Sequence, residues 1–212
     1  TISVSLNQAG FPISTAELRS SPLVIDIDKD GDIDVLSANT GNNKILFFEN
    51  NGSETFTKNE LATVNYPKSI YPVDLDKDGD IDILATGLDN LYYLLNNGSQ
   101  NFSVVSISSY GGNLAQRVFA ADMDNDGDLD IVTVAEFAFW DEPTTRSVVW
   151  WEQQSDMQFV PHTIATSPTH LVTCDVADLD GNGLPDIVAG GMALYPPFDR
   201  ITRVTHWLNE GE

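Results

Sequence analysis

The chain has 212 residues, 42% of them apolar, and 32 acidic against 10 basic residues give a formal charge of −22. That length and apolar content sustain one substantial core, the charge excludes nucleic acid and anionic membrane surfaces as partners, and no apolar run approaches the ~20 residues of a membrane-spanning helix. The single cysteine, Cys174, excludes a disulfide framework and a thiolate metal site, and among its apolar neighbours it reads as a small core residue.

In chain order, Thr1 to Asn7 has the pattern of a strand and resembles Asn101 to Ile107 further on. The first aspartate-rich loop then runs Asp26-Ile-Asp28-Lys-Asp30-Gly31-Asp32-Ile-Asp34, with near-copies starting at Asp74 and Asp122 and a looser one at Asp178. Oxygens at alternate positions of a tightly turned loop can converge on one hard cation, and Ca²⁺ takes six to eight of them. In this reading the side chains of Asp26, Asp28, Asp30 and Asp34 are ligands, with the backbone carbonyl of Asp32 at position 7 and Gly31 supplying the bend. The same roles fall to Asp74, Asp76, Asp78 and Asp82 with Asp80, and to Asp122, Asp124, Asp126 and Asp130 with Asp128. In the fourth loop they fall to Asp178, Asp180, Asn182 and Asp186 with Leu184, one carboxylate fewer. The loops hold 18 of the 32 acidic residues. Four bound Ca²⁺ would bring the charge to about −14.

An EF-hand needs a bidentate Glu at position 12. Here that position is Ser37, Ala85, Thr133 or Ala189. Each loop also runs into a β-branched, apolar segment, as in Val35-Leu36 and Ile187-Val188, which predicts a strand and not a helix.

The loops are spaced by 48, 48 and 56 residues, a period that points to propellers or solenoids. Each repeat reads as four short strands, A to D, with the acidic loop between A and B. In repeat three these are Val118 to Ala121, Ile131 to Ala135, Ser147 to Glu152 and Gln158 to Ile164. The C strands, such as Ile45-Leu46-Phe47-Phe48 and Val148-Val149-Trp150-Trp151, are apolar on both faces, as sheets stacked between neighbours require. Asn50-Asn51-Gly52-Ser53 and Asn96-Asn97-Gly98-Ser99 carry hairpin signals after the C strands.

The segments DIDKDGDIDVLSAN, DLDKDGDIDILATG, DMDNDGDLDIVTVA and DLDGNGLPDIVAGG resemble the FG-GAP or VCBS repeats of integrin α-subunit propellers and related secreted proteins. The resemblance implies an all-β propeller of four four-stranded blades with Ca²⁺ between strands A and B of each. Residues 1–212 then form one domain: blade one about 21–62, blade two about 69–108, blade three about 117–165, and blade four about 173–212 completed by strand 1–8. Three closures stay open: a four-bladed ring, a homo-oligomeric ring of two chains, and a part of a longer propeller.

In such a blade the A–B and C–D turns share one end of the sheet, and the B–C and D–A connections share the other. The B–C connections lengthen in repeats three and four and carry Phe139, Trp140, Tyr195, Phe198 and Arg200, suited to stacking on a sugar or anchoring a protein. The D–A connections add Tyr66, Tyr110, Arg117 and His170. His162, His170 and His206 share no local metal-binding spacing, and no nucleophile elbow or phosphate-binding glycine loop occurs. The expectation is a non-enzymatic, lectin-like, calcium-binding module with a glycan or protein ligand. Loops of modest affinity fill where Ca²⁺ is millimolar, which places it outside the cell. The alternatives are a propeller domain of a larger secreted polysaccharide-degrading enzyme and a structural spacer without ligand.

Overall fold

The structure, a computed structural model, describes residues 22–53, 55–88, 90–109, 113–137, 146–166, 171–191 and 204–211. They form four antiparallel sheets. The first holds β1 (Leu23–Ile25), β2 (Asp34–Asn39), β3 (Lys44–Asn50) and β4 (Phe56–Thr63), paired in that order. The second holds β5 (Ser69–Val73), β6 (Asp82–Thr86), β7 (Asn90–Asn96) and β8 (Phe102–Ser109). In the third are β9 (Asn113–Ala121), β10 (Asp130–Phe137), β11 (Val148–Gln154) and β12 (Gln158–Ala165), and in the fourth β13 (Leu171–Ala177), β14 (Asp186–Gly191) and β15 (Val204–Trp207).

The sheets repeat in detail as well as in outline. Register shifts at Ile45/Leu46, Leu91/Tyr92 and Val148/Val149 leave Leu61, Ile107 and Ile164 as bulge residues at matching places in the fourth strands. A bulge raises local twist, and three in step keep the sheets equally twisted and stackable.

Stacking explains the doubly apolar third strands. One buried cluster joins Leu36, Ile45 and Phe47 of sheet one to Ile70, Ile83 and Leu94 of sheet two. A second joins Leu84, Leu91 and Tyr93 to Val118, Ile131 and Trp151. The third joins Val132, Val134 and Val148 to Leu171, Cys174 and Ile187. Cys174 is therefore a core residue, and its burial pushes the thiol up to about 12.

The far face of sheet four departs from this pattern. Where sheet three presents Phe119, Val134 and Trp150 to its neighbour, the equivalent positions of sheet four are Asp175, Gly190 and His206, with Asp175 and His206 exposed. Among the described residues no cluster joins sheet four to sheet one. The expected strand 1–8 lies outside the described residues.

Candidate metal centres and the opposite end of the sheets

Each acidic loop is folded by its own carboxylates. In loop one, Gly31 N–H donates to Asp26 Oδ2 (3.0 Å), Asp30 N–H to Asp28 Oδ1 (3.3 Å) and Asp32 N–H to Asp30 Oδ1 (2.8 Å). The side chains thus spend one oxygen on the backbone and leave the other for a ligand. The position-1 oxygen left over is buried and without a hydrogen-bond partner in three loops: Asp26 Oδ1, Asp74 Oδ1 and Asp122 Oδ1. An orphaned, desolvated carboxylate oxygen is costly, and a cation facing it removes the cost.

The predicted ligands converge in part as triplets whose oxygens lie within 4.8 Å of one another. These are Asp26, Asp28 and Asp34; Asp74, Asp76 and Asp78; Asp122, Asp124 and Asp126; and Asp178, Asp180 and Asp186. All-oxygen sets of this kind fit a hard divalent cation. Loop four is the poorest fit: Asp178 accepts from both Gly181 N–H (2.7 Å) and Gly183 N–H (3.0 Å), leaving neither oxygen unpaired.

Position 9 has a second job. Asp34 Oδ2 accepts from Ile27 N–H (3.1 Å), closing the loop, while its Oδ1 accepts from Asn50 N–H (2.8 Å) at the end of β3. Asp82 does the same with Leu75 and Asn96, Asp130 with Met123 and Gln153, and Asp186 with Leu179 and Asn209. All four are fully buried.

Burial raises the pKa of Asp28, Asp34, Asp82 and Asp124, and lifts that of Asp130 from 3.8 to about 6, because desolvation outweighs the backbone donors. Asp186 goes the other way, since the donors Asn209 and Leu179 outweigh a smaller desolvation. A carboxylate whose folded pKa exceeds its unfolded one favours the folded state most at low pH, and that contribution is lost as pH rises through the folded value. For Asp130 the window runs from 3.8 to about 6. Asp130 gives the sign over the interval its window reaches: in chelator, its protonation should raise the melting temperature on acidification from pH 7 to pH 5. A melting temperature that falls over that interval would contradict the assignment.

The FG-GAP-like repeat family matches residues 26–85 and 74–133, together half of the chain. The chain belongs to the FG-GAP-like repeat family. No curated protein matches it. Among solved structures it is similar to an Agrocybe aegerita lectin described as recognising non-reducing terminal N-acetylglucosamine, with TM-score 0.58 and 23% identity over 90% of this chain and 50% of that one. A V. cholerae biofilm matrix protein, Bap1, matches at TM-score 0.42 and 16% identity, over 74% and 30% of the two chains. The chain thus spans about half the length of the lectin and less of the matrix protein.

Consecutive FG-GAP-like loops are also tied to each other, which the sequence reading did not anticipate. Lys29, at position 4, donates through Nζ to the Gly79 carbonyl and lies 3.3 Å from Asp80 Oδ1 in the next loop. Lys77 reaches the Gly127 carbonyl and Asp128 Oδ1 (3.2 Å) in the same way, and Asn125 Nδ2 donates to the Gly183 carbonyl (3.1 Å). At the matching place in loop four stands Gly181. Asp80 and Asp128, at position 7, therefore act through their side chains as acceptors. Each such exposed ion pair is worth ~0.2–1 kcal/mol. Turn glycines make room for them: a Cβ on Gly52 would lie 2.5 Å from Asp32 Oδ2, and one on Gly98 2.5 Å from Asp80 Oδ2.

These contacts put the β3–β4 and β7–β8 turns beside the acidic loops. The β2–β3 turn and the β4–β5 connection meet at the other end, where Val64 N–H donates to the Asn43 carbonyl (3.0 Å) and Thr40 Oγ1 to the Pro67 carbonyl (2.7 Å). Phe139, Trp140, Tyr195, Phe198 and Arg200, and with them Tyr110 and His170, lie outside the described residues. Tyr66 is described there, 41% exposed.

Proposed function

We propose that this chain is a calcium-stabilised propeller segment that acts as a non-enzymatic recognition module for a glycan or protein ligand on the extracellular side. The observation that carries the reading is the division of labour at position 1 of the first three acidic loops, where one carboxylate oxygen holds the backbone and the other, orphaned and buried, is left for a cation. Calcium at these positions is a fold determinant at one end of the sheets, which leaves the other end for recognition. The ligands are those of the four loops, Asp26 to Asp34, Asp74 to Asp82, Asp122 to Asp130 and Asp178 to Asp186, with loop four the weakest. The likeness of fold to a sugar-binding lectin is in keeping with a glycan ligand. The polar far face of sheet four suits an end of the apolar stack, so further chain or a second copy would complete a ring by meeting sheet one.

A glycan array and a protein-interaction screen, each run in calcium and in excess chelator, test the reading. Calcium-dependent binding is expected. Absence of any binding would leave a structural spacer, and polysaccharide turnover by the chain alone would overturn the non-enzymatic assignment.

A further inference from the structure

Position 4 of every acidic loop has a left-handed backbone: φ is 60° at Lys29, Lys77 and Asn125, and 82° at Gly181. Glycine enters that region at no steric cost, whereas a lysine there is strained. Loop four takes the residue its backbone favours. Loops one to three carry a side chain instead, and in all three that side chain grips the following loop.

The grip falls on one peptide group. Lys29 Nζ donates to the Gly79 carbonyl, and the N–H of the same peptide, on Asp80, donates to Asp78 Oδ1 at 2.8 Å. Asp78 is one of the three carboxylates gathered in loop two. Lys77 repeats the arrangement on the Gly127 carbonyl, with Asp128 N–H on Asp126 Oδ1 at 2.7 Å. Asn125 repeats it on the Gly183 carbonyl, with Leu184 N–H on Asn182 Oδ1 at 2.7 Å. A donor on the carbonyl polarises the peptide and strengthens its N–H as a donor, so the position-5 side chain is held more firmly where a cation needs it. At the near end, position 4 stands between two predicted ligands, and Asp30 N–H donates to Asp28 Oδ1 across Lys29 at 3.3 Å. A cation held by Asp28 and Asp30 fixes the backbone of Lys29 and with it the direction of its side chain.

Charge and geometry oppose each other at this link. By charge alone, a lysine beside loop two repels the cation that loop two would bind. The Lys29 and Asp80 side chains are 51% and 31% exposed, so solvent and salt screen that repulsion. Ordering a peptide within the ligand set is not screened, and its entropic worth exceeds that of an exposed pair. Geometry therefore sets the sign.

We propose that the acidic loops fill with calcium cooperatively, Lys29, Lys77 and Asn125 each coupling one site to the next. The series of links ends at Gly181, which has no side chain to continue it. The inference rests on the calcium reading above and adds how the sites act on one another. Such coupling is reciprocal, so a filled loop two also tightens loop one.

The amides of Gly31, Gly79, Gly127 and Gly183 each donate to the position-1 aspartate of their own loop and so report the four sites separately. The test is a calcium titration of the chelated chain followed at these amides by NMR, for the natural sequence, Asp30→Ala, Lys29→Met, the two combined, and Lys77→Met. Lys29 and Asp30 are both exposed, so these variants keep the fold. Asp30→Ala, which disables loop one, should raise the calcium midpoint at Gly79 about twofold to fivefold, the worth of one exposed pair. Lys29→Met should raise it by a similar factor, and the combination should move it no further, since both act through one link. Lys77→Met should do the same at Gly127. Charge without the link gives the opposite sign: loss of the lysine, or of the cation in loop one, would lower the midpoint at Gly79. A midpoint that falls or stays put in either single variant, or shifts that add in the combination, would overturn the inference and leave calcium binding standing. If no glycine amide moves with calcium, the inference and the calcium reading fall together.

Discussion

Excess chelator should lower the melting temperature of this protein by roughly 15–30 °C. A ligand that binds only the folded state stabilises it by RT ln(1 + [L]/Kd), so three good sites at a hundredfold excess contribute about 8 kcal/mol together, and in a chain of this size each kcal/mol moves the midpoint by about 2–4 °C. The structure gives a reason for counting three: Asp26, Asp74 and Asp122 keep a buried, unpartnered oxygen, whereas both oxygens of Asp178 are taken by backbone donors. Calorimetric titration of the chelated protein should accordingly resolve three tighter sites and one weaker. Melting curves that coincide with and without chelator would remove calcium from the account of the fold.

Much of the architecture behind that expectation is legible in the sequence. The alternating aspartates, the position-12 residues and the apolar third strands lead to four stacked sheets with an acidic loop in each, and the family follows from the resemblance of the four loop segments to its repeats. Other features follow from contacts between repeats, which a pattern within one repeat does not reveal. The reach of Lys29 and Lys77 into the next loop is of this kind. Its signal is faint but present, since loop four loses the position-4 side chain (Gly181) and the position-7 carboxylate (Leu184) together. The bulge residues Leu61, Ile107 and Ile164 have no signal of their own, because an apolar residue in a fourth strand fits a regular ladder as well as a bulge. The left-handed Tyr66 runs against its residue type and depends on the Asn43 side chain. The carboxylate pKa directions also differ from a reading that considers only the metal-bound loops. Cation binding lowers these values, while the metal-free fold raises five of them by burial.

The Asp82→Ala substitution should destabilise the protein even when no metal is bound, which separates the two roles of the loop. Asp82 is fully buried, and its oxygens accept from Leu75 N–H at 2.9 Å and Asn96 N–H at 2.8 Å, both in buried residues. Alanine leaves two buried donors without partners, at about 1–3 kcal/mol each. Removing a desolvated charge returns part of that loss, which places the expected change in chelator at about 2–4 kcal/mol, or roughly 5–15 °C in melting temperature. Asp82→Asn should fall between, since the amide keeps one acceptor oxygen and turns a donor towards the other N–H. Asp78→Ala is the contrast: Asp78 is exposed and holds only Asp80 N–H, at 2.8 Å. In chelator it should cost no more than ~1.5 kcal/mol, yet in calcium it should remove one of the tighter sites. If Asp82→Ala melts with the natural sequence in chelator, position 9 is a metal ligand alone and the tie between loop and β7 contributes nothing to the fold.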